Sequence, residues 1–353
     1  MEVRLAGTGG AGGWPQQGCG CASCARLRSA GRSRAPALVV VDGELRVGSG
    51  EALADAGKPL TGFRVHRMPG AWDVTAPDGG RLLVADGSGV APDPPADAGP
   101  YDIVLLDLVA DPSQLGALRS RGLAGGGTLA AVLHADHRIP SEEELARRCG
   151  FWAAVLPDDG DVLTAPLGRP AWPPGQPRRV LVLGGARSGK SRHAELRLAA
   201  EPRVTYLAAG PYPDGAQPAA DSDWAERVAA HRARRPAWWR TVESADAAAA
   251  LRSVPGALLF DGVGTWLAAV MTTAHQAGSP GLIAEKADEL VEAWRQTAAR
   301  VVAVSDEVGS GVHPPTEAGR LFRDQLGWLN QRLTAESDEV VLVVAGRPVT
   351  LPS

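Results

Sequence analysis

The stretch Val180-Leu-Val-Leu-Gly184-Gly-Ala-Arg-Ser-Gly189-Lys190-Ser191 joins an apolar run to a glycine-rich loop. Its second part has the pattern Gly-x-x-x-x-Gly-Lys-Ser, in which glycines let backbone N–H groups close around a polyphosphate. Lys190 would reach the outer phosphates, and Ser191 would offer its hydroxyl to Mg²⁺. A helix starting at Ser191 would turn its positive end toward the same anion. The sequence therefore predicts a strand, a phosphate-binding loop over residues 184–191, and a helix.

Length and charge restrict the function classes. A chain of 353 residues is long enough for two domains. Its net charge of -4, with basic and acidic residues interleaved, disfavours a nucleic-acid partner. No apolar run reaches the roughly 18 residues that span a bilayer, and the N-terminus lacks a signal-peptide layout. We therefore expect a cytoplasmic protein without a membrane span.

A proline-rich segment divides the chain. Four prolines lie within residues 169–177, and they deny backbone donors to any helix or sheet. We expect an N-terminal domain over 1–168, a linker over 169–177 and a C-terminal domain over 178–353. Short β-rich runs suggest a sheet-dominated N-terminal domain: 38–41, 81–84, 103–106 and 129–133.

The C-terminal domain alternates apolar strands with helical stretches. The predicted strands are 180–183, 204–208, 257–260, 301–304 and 340–344. This alternation is typical of an α/β fold of the P-loop NTPase type, a mostly parallel sheet with helices on both faces. Leu326, Leu329 and Leu333 recur at helical spacing and are expected in the core.

Two further patterns suit nucleotide chemistry. Asp261 directly follows an apolar strand, where a carboxylate can hold Mg²⁺ through its water shell; a strand-end turn residue is the alternative. His231 lies within the arginine-rich stretch 227–243, and guanidinium groups suit phosphate oxygens. A neutral imidazole there could attack phosphorus as a nucleophile. From composition alone, a solvated basic helix that carries a histidine is the simpler explanation.

Together these motifs resemble the bifunctional adenosylcobinamide kinase / adenosylcobinamide-phosphate guanylyltransferase family. The resemblance rests on residues 184–195, 227–243, 306–309, 319–324 and 329–333, in the family's order. It covers essentially all of residues 178–353.

The resemblance implies two reactions and their site. ATP or GTP would phosphorylate adenosylcobinamide, and GTP would then transfer GMP through a histidine phosphoramidate to adenosylcobinamide phosphate. His231 would carry the GMP, with Lys190 and Asp261 as further catalytic residues. The nucleotide site would comprise Gly184, Gly185, Ala186, Arg187, Ser188, Gly189, Lys190, Ser191, Ala208, Ala209, Gly210, Arg232, Ala233, Arg234, Arg235, Glu243 and Asp261. The resemblance also implies a homo-oligomer.

Three positions depart from the family pattern. Some relatives carry adjacent histidines where this chain has Ala230-His231, so either His231 is the acceptor or the second activity is lost; the flanking histidines are His193 and His275. Asp306 stands where the family usually has Asn. Gly-Val-Gly follows Asp261 in place of the commoner Cys-Leu-Thr. These departures affect substrate contacts and not the reaction class.

The N-terminal domain opens with a cysteine motif. Cys19-Gly-Cys21-Ala-Ser-Cys24 places three thiolates within reach of one tetrahedral ion. The opening residues resemble the metallo-β-lactamase-like phosphodiesterases of the phosphoribosyl cyclic phosphodiesterase type, in which three such cysteines and a late histidine hold a structural zinc. His137 is the expected fourth ligand, with His134 as its rival and Cys149 less favoured. Three unligated buried thiols are the alternative.

The metals needed for hydrolysis by that fold would require a His-x-His-x-Asp-His motif, which this chain lacks. We therefore expect a truncated, β-rich, catalytically silent domain. Two other functions fit parts of the pattern: a P-loop small-molecule kinase without guanylyl transfer, and a GTP-binding regulatory protein.

Overall fold

The computed structural model describes residues 1–48, 52–54, 61–95, 97–164, 176–209 and 235–352. Contacts between residues divide the chain into two compact units. The first unit comprises Met1–Gln176 with Ala199–Pro202, and the second comprises Pro177–Leu198 with Arg203–Ser353. Among the described residues, no helix has both the length and the apolar character that crossing a membrane requires.

The second unit is built on a seven-stranded sheet. Its strands are β11 (Arg179–Gly184), β12 (Val204–Ala208), β13 (Arg240–Glu243), β14 (Ala257–Asp261), β15 (Arg300–Asp306), β16 (Glu339–Val344) and β17 (Arg347–Thr350). They lie in the order β13-β12-β14-β15-β11-β16-β17, and every neighbouring pair is parallel except the β16–β17 hairpin. The predicted mostly parallel sheet is confirmed.

Described helices cover both faces of this sheet. They are α4 (Lys190–Leu198), α5 (Ala247–Ser253), α6 (Val263–Gln276), α7 (Gly281–Gln296) and α8 (Glu317–Ala335). Side chains alternate along β11: Val180 and Val182 join a core with α4, whereas Leu181 and Leu183 join the core beneath the other four helices. Leu326, Leu329 and Leu333 of α8 are buried there, as their spacing predicted.

The first unit contains two five-stranded sheets. One has the antiparallel order β10-β1-β2-β3-β4, made of β1 (Glu2–Gly7), β2 (Leu38–Val41), β3 (Leu45–Gly48), β4 (Ala52–Ala54) and β10 (Val162–Thr164). The other has the order β5-β6-β7-β8-β9, made of β5 (Arg64–Met68), β6 (Ala71–Thr75), β7 (Arg81–Ala85), β8 (Ile103–Leu106) and β9 (Leu129–Val132).

One apolar core joins these two sheets. Leu5 and Val39 from the first sheet belong to the same buried cluster as Val74 and Leu105 from the second. The unit's helices are α1 (Ala22–Ser29), α2 (Ser113–Ser120) and α3 (Glu142–Trp152). The β-rich N-terminal part is as predicted, with strands at all four expected runs. Its kinship to metallo-β-lactamase-like domains stays a prediction.

Candidate functional site

The phosphate-binding loop connects β11 to α4. An added Cβ at Gly184 would lie 2.5 Å from the Ser188 Oγ and 2.7 Å from the Val343 carbonyl oxygen of the neighbouring strand, so only glycine fits there. Arg187 and Gly189 have positive φ values of 55° and 96°. Left-handed residues of this kind shape backbone anion-binding loops. Helix α4 begins at Lys190, one residue earlier than predicted, and its N-terminus lies at the loop.

Lys190 is held by two oxygen atoms. Its Nζ donates to the Gly185 carbonyl at 3.1 Å and forms an ion pair with the Asp306 Oδ1 at 2.7 Å. Asp306 ends β15, which pairs with β11 in parallel register through Gly184↔Asp306. The ammonium group therefore has a carboxylate partner before any phosphate arrives.

Asp261 lies at the carboxyl end of β14, as the sequence predicts for a metal-holding carboxylate. Its Oδ1 accepts a hydrogen bond from the Ser191 hydroxyl at 3.1 Å, and its Oδ2 accepts one from the Tyr206 hydroxyl at 3.1 Å. A serine hydroxyl and a carboxylate are oxygen ligands of the kind that Mg²⁺ takes. The two residues predicted to serve Mg²⁺ thus lie together, and their donor atoms fit that ion.

Tyr206 connects this carboxylate to an arginine. The guanidinium carbon of Arg235 lies 3.4 Å from the centroid of the Tyr206 ring, and its Nη1 donates to the Thr241 hydroxyl at 3.3 Å. Burial, followed by the charge of Asp261, raises the pKa of the Tyr206 phenol above its ordinary value. The phenol therefore stays protonated at neutral pH and can donate to Asp261.

Ala208 and Glu243 lie at the ends of β12 and β13, where they are register partners. Ala209 follows Ala208 and is buried. β12 is three places from β11 in the sheet, and neighbouring strands lie about 4.8 Å apart. Ala208 and Ala209 therefore share the carboxyl edge of the sheet with the phosphate-binding loop, roughly 14 Å from its strand, and Glu243 on the next strand lies roughly 19 Å from it. The separation is comparable with the length of a nucleoside triphosphate.

Five of the residues predicted for the site lie within the range 210–234. Gly210, His231, Arg232, Ala233 and Arg234 lie outside the described residues, and Arg235 is the first residue described after them.

A second candidate site lies in the first unit. Cys19, Cys21, Cys24 and His137 each present one ligand atom, and these atoms all lie within 4.8 Å of one another. The Cys24 Sγ is 3.7 Å from the His137 Nδ1. Ligand atoms of a tetrahedral zinc are about 3.6 Å apart, given Zn–S and Zn–N bonds of about 2.3 and 2.1 Å. We call these four residues the cysteine–histidine cluster; their donors and spacing fit zinc.

Hydrogen bonds outside the thiols hold this cluster together. The Ser23 hydroxyl donates to the Ile139 carbonyl at 2.6 Å, and the Arg26 Nη1 donates to the Pro140 carbonyl at 2.9 Å. Helix α1 is thereby tied to the segment that follows His137. The backbone N–H of Cys24 lowers the pKa of the Cys21 thiol, which favours the thiolate that a metal requires.

The two rival ligands lie in other surroundings. The His134 Nε2 is 2.9 Å from the Ala85 carbonyl oxygen, and its ring is buried. Cys149 is buried in α3, and burial raises the pKa of its thiol to about 12. The structure thus places His137, and neither rival, beside the three cysteines.

Two residues of the site escaped sequence reasoning. Tyr206 was expected only as part of a buried strand, and Asp306 was noted only as a departure from a family pattern. For Asp306, its position just after a predicted parallel strand was the available signal, because ligand sites of α/β sheets form at that edge. Tyr206 lies in the middle of its strand, where no such signal marks it.

Comparison with known proteins identifies the second unit. A family described as cobinamide kinase / cobinamide phosphate guanyltransferase matches residues 180–351. The bifunctional adenosylcobalamin biosynthesis protein CobP of Pseudomonas aeruginosa is 41% identical over 179 residues, which cover 49% of this chain and 96% of that protein. The proteins named CobU of Salmonella typhimurium and Escherichia coli are each 36% identical, over 47% of this chain and 96% of their own length. The chain therefore belongs to the cobinamide kinase / cobinamide phosphate guanyltransferase family.

Proposed function

We propose that this chain catalyses two consecutive steps of adenosylcobalamin biosynthesis. In the first, the hydroxyl of adenosylcobinamide attacks the γ-phosphorus of ATP or GTP and loses its proton to solvent, and ADP or GDP leaves. In the second, His231 attacks the α-phosphorus of GTP, pyrophosphate leaves, and the GMP then passes from His231 to adenosylcobinamide phosphate. The products are adenosylcobinamide-GDP and the free imidazole. Because the transfer is divided into two displacements, the same nucleotide site can first release pyrophosphate and then admit the bulky acceptor.

The described residues divide this work between phosphate and metal binding. The phosphate-binding loop would hold the triphosphate through its backbone N–H groups, and Lys190 would exchange Asp306 for phosphate oxygens. Ser191 and Asp261 would hold Mg²⁺, which supplies positive charge against the phosphates. Arg235, together with Arg232 and Arg234, would contact the remaining phosphate oxygens. Glu243 and residues 208–210 would line the nucleoside end.

One observation carries the nucleotide part of this proposal. The Ser191 Oγ and the Asp261 Oδ1 are 3.1 Å apart at the first turn of α4, beside the loop lysine. This arrangement of hydroxyl, carboxylate and ammonium at a helix N-terminus suits a magnesium–triphosphate complex.

The test uses GTP labelled at the α-phosphate. Protein incubated with this GTP and Mg²⁺ should acquire label that acid removes and alkali does not, as a phosphoramidate requires. The His231→Ala variant should lose the label, whereas His275→Ala, which changes a histidine at the end of α6, should keep it. Turnover of adenosylcobinamide without any protein label would indicate a kinase that lacks guanylyl transfer. GTP binding without any turnover would indicate a regulatory protein.

For the first unit we propose a structural zinc in the cysteine–histidine cluster and no hydrolytic activity. The close approach of Cys24 to His137 supports the zinc, and the lack of a His-x-His-x-Asp-His motif supports catalytic silence. In that arrangement the metal would cross-link α1 to the segment after β9.

Elemental analysis tests the zinc proposal. The purified protein should carry about one equivalent of zinc per chain. Cys24→Ser should lose the metal and lower the thermal midpoint, and Cys149→Ser is the matched control that should retain it. Equal zinc content in both variants would disprove the assignment. Hydrolysis of a cyclic phosphodiester by the chain with added Mn²⁺, surviving His231→Ala, would disprove catalytic silence.

A further inference from the structure

Tyr206 contacts two parts of the proposed nucleotide site at once. Its hydroxyl reaches Asp261 and its ring lies against Arg235. We propose that Tyr206 is a positioning residue that fixes two groups relative to each other: the carboxylate of Asp261 on the metal side and the guanidinium group of Arg235 on the phosphate side. This inference rests on the proposed function.

The hydroxyl orients Asp261. The Ser191 hydroxyl donates to Oδ1 and the Tyr206 hydroxyl donates to Oδ2, each at 3.1 Å. With a donor on each oxygen, the carboxylate plane cannot rotate without losing a hydrogen bond to a charged group. Tyr206 is only 6% exposed, so water cannot readily replace its hydroxyl. The carboxylate is therefore set in one orientation before Mg²⁺ binds.

The ring orients Arg235. A guanidinium group lying over an aromatic face is attracted by the ring's negative face, most strongly where water is excluded. With Arg235 Cζ at 3.4 Å from the ring centroid and Nη1 bonded to Thr241, the guanidinium group is held from two sides. Because the same phenol serves both contacts, displacement of the ring would disturb the carboxylate and the guanidinium together.

A packing role alone would not need the hydroxyl. Tyr206 belongs to the apolar core beneath α4, where phenylalanine would fill the same space. Tyr206→Phe therefore separates the two roles, since it removes the contact with Asp261 and keeps the ring beneath Arg235.

The first measurement is equilibrium binding of a fluorescent GTP analogue during titration with Mg²⁺. In Tyr206→Phe, the Mg²⁺ concentration at half-saturation should rise about 3- to 10-fold, the range expected for losing one hydrogen bond to a charged group. Affinity for the analogue at saturating Mg²⁺ should stay within about twofold, because Arg235 keeps its ring.

A second variant tests the ring. Tyr206→Leu should show the same Mg²⁺ shift and, in addition, bind the analogue about 3- to 10-fold more weakly at saturating Mg²⁺. The matched control is Tyr101→Phe in the first unit, where another buried tyrosine lies 4.3 Å from an arginine, Arg81. That control should change neither quantity. Thermal midpoints measured for all three variants separate positioning from loss of fold.

The outcomes distinguish this inference from the proposed function. An unchanged Mg²⁺ half-saturation in a folded Tyr206→Phe protein would overturn the inference, even if the wild type converts adenosylcobinamide. In Tyr206→Phe, a loss of binding that excess Mg²⁺ does not restore would also overturn it. A wild type that binds Mg²⁺ and GTP but leaves adenosylcobinamide unchanged would instead refute the proposed reactions and leave the role of Tyr206 intact.

Discussion

In the proposed function, the ion pair between Lys190 and Asp306 would oppose nucleotide binding. The Nζ of Lys190, which is proposed to bind a triphosphate, lies 2.7 Å from the Oδ1 of Asp306. The Asp306 carboxylate would repel the incoming phosphates. Two half-buried charges at this distance interact by a few kcal/mol at an effective dielectric constant of about 20, before solvent screening reduces the value. Displacing Asp306 from Lys190 would therefore lower the net affinity for the triphosphate.

We predict that Asp306→Asn binds GTP about 5- to 10-fold more tightly than the wild type when Mg²⁺ is absent, because about 1 kcal/mol of opposing charge is removed. Fluorescence titration with a GTP analogue at low and high salt measures this change, which should shrink at high salt. Asp288→Asn, at an exposed carboxylate of α7 paired with Arg332, is the charge-matched control. Equal binding by Asp306→Asn would show that the ion pair does not oppose the nucleotide, and weaker binding would show that this carboxylate helps to hold it.

The sequence could indicate site residues where a short local pattern marks them. Lys190 and Ser191 follow from the loop pattern, and Asp261 follows from its place after an apolar strand. The contacts of Tyr206 with Asp261 and of Lys190 with Asp306 join residues far apart in sequence. Such pairs depend on strand order, which local patterns do not define.

Helix α8 supports the carboxyl end of β15. The buried Ser305 hydroxyl donates to the Asn330 Oδ1 at 2.7 Å, and the Asn330 Nδ2 donates to the Asp306 carbonyl at 3.1 Å. One amide side chain therefore holds the backbone that presents Asp306 to Lys190.

We predict that Asn330→Ala lowers the free energy of unfolding by about 1–3 kcal/mol, since it leaves the Ser305 hydroxyl buried without this partner. Urea denaturation followed by tryptophan fluorescence provides the measurement. Gln331→Ala, at the next and exposed position of α8, should stay within about 0.5 kcal/mol of the wild type. A similar loss in both variants would contradict a specific role for Asn330.

Buried strands could be predicted from the sequence more readily than exposed strands. The central strands β11, β14 and β15 are nearly continuous apolar runs, and the sequence predicted each within two residues at either end. The edge strands β13 and β17 have mostly exposed side chains, so no apolar run marks them. Strand β1 alternates buried and exposed residues, but this period-two pattern was not among the predicted strands.

At the scale of the whole molecule, each unit has an apolar core of its own. The two clusters flanking the seven-stranded sheet draw only on residues from Val180 onward. The cluster between the two five-stranded sheets draws only on residues up to Val155 and Leu163. The expectation of two domains came from the chain length and from the proline-rich segment 169–177, and each of the two units carries enough apolar strand to fill a core. The four recognisable runs could not predict the ten strands that the described residues of the first unit form.

These separate cores lead to a prediction for the second unit alone. The alignment with the Pseudomonas aeruginosa relative is 179 residues long and covers 49% of this chain and 96% of that protein, so a protein of about that size carries the family's name without the first unit. A fragment of residues 177–353 keeps both apolar clusters and the bonds of Arg178 and Arg179 to Asp338 that fix the start of β11.

We therefore predict that the fragment of residues 177–353 forms the acid-labile GMP adduct within about twofold of the full-length rate, since every described residue proposed to bind nucleotide lies within it. Labelling with α-labelled GTP provides the rate, and circular dichroism verifies that the fragment is folded. The same fragment with His231→Ala is the inactive control. Chelation of zinc from the full chain should likewise leave the labelling rate unchanged while lowering the thermal midpoint of the first unit. A folded fragment that fails to label would show that the first unit contributes to guanylyl transfer.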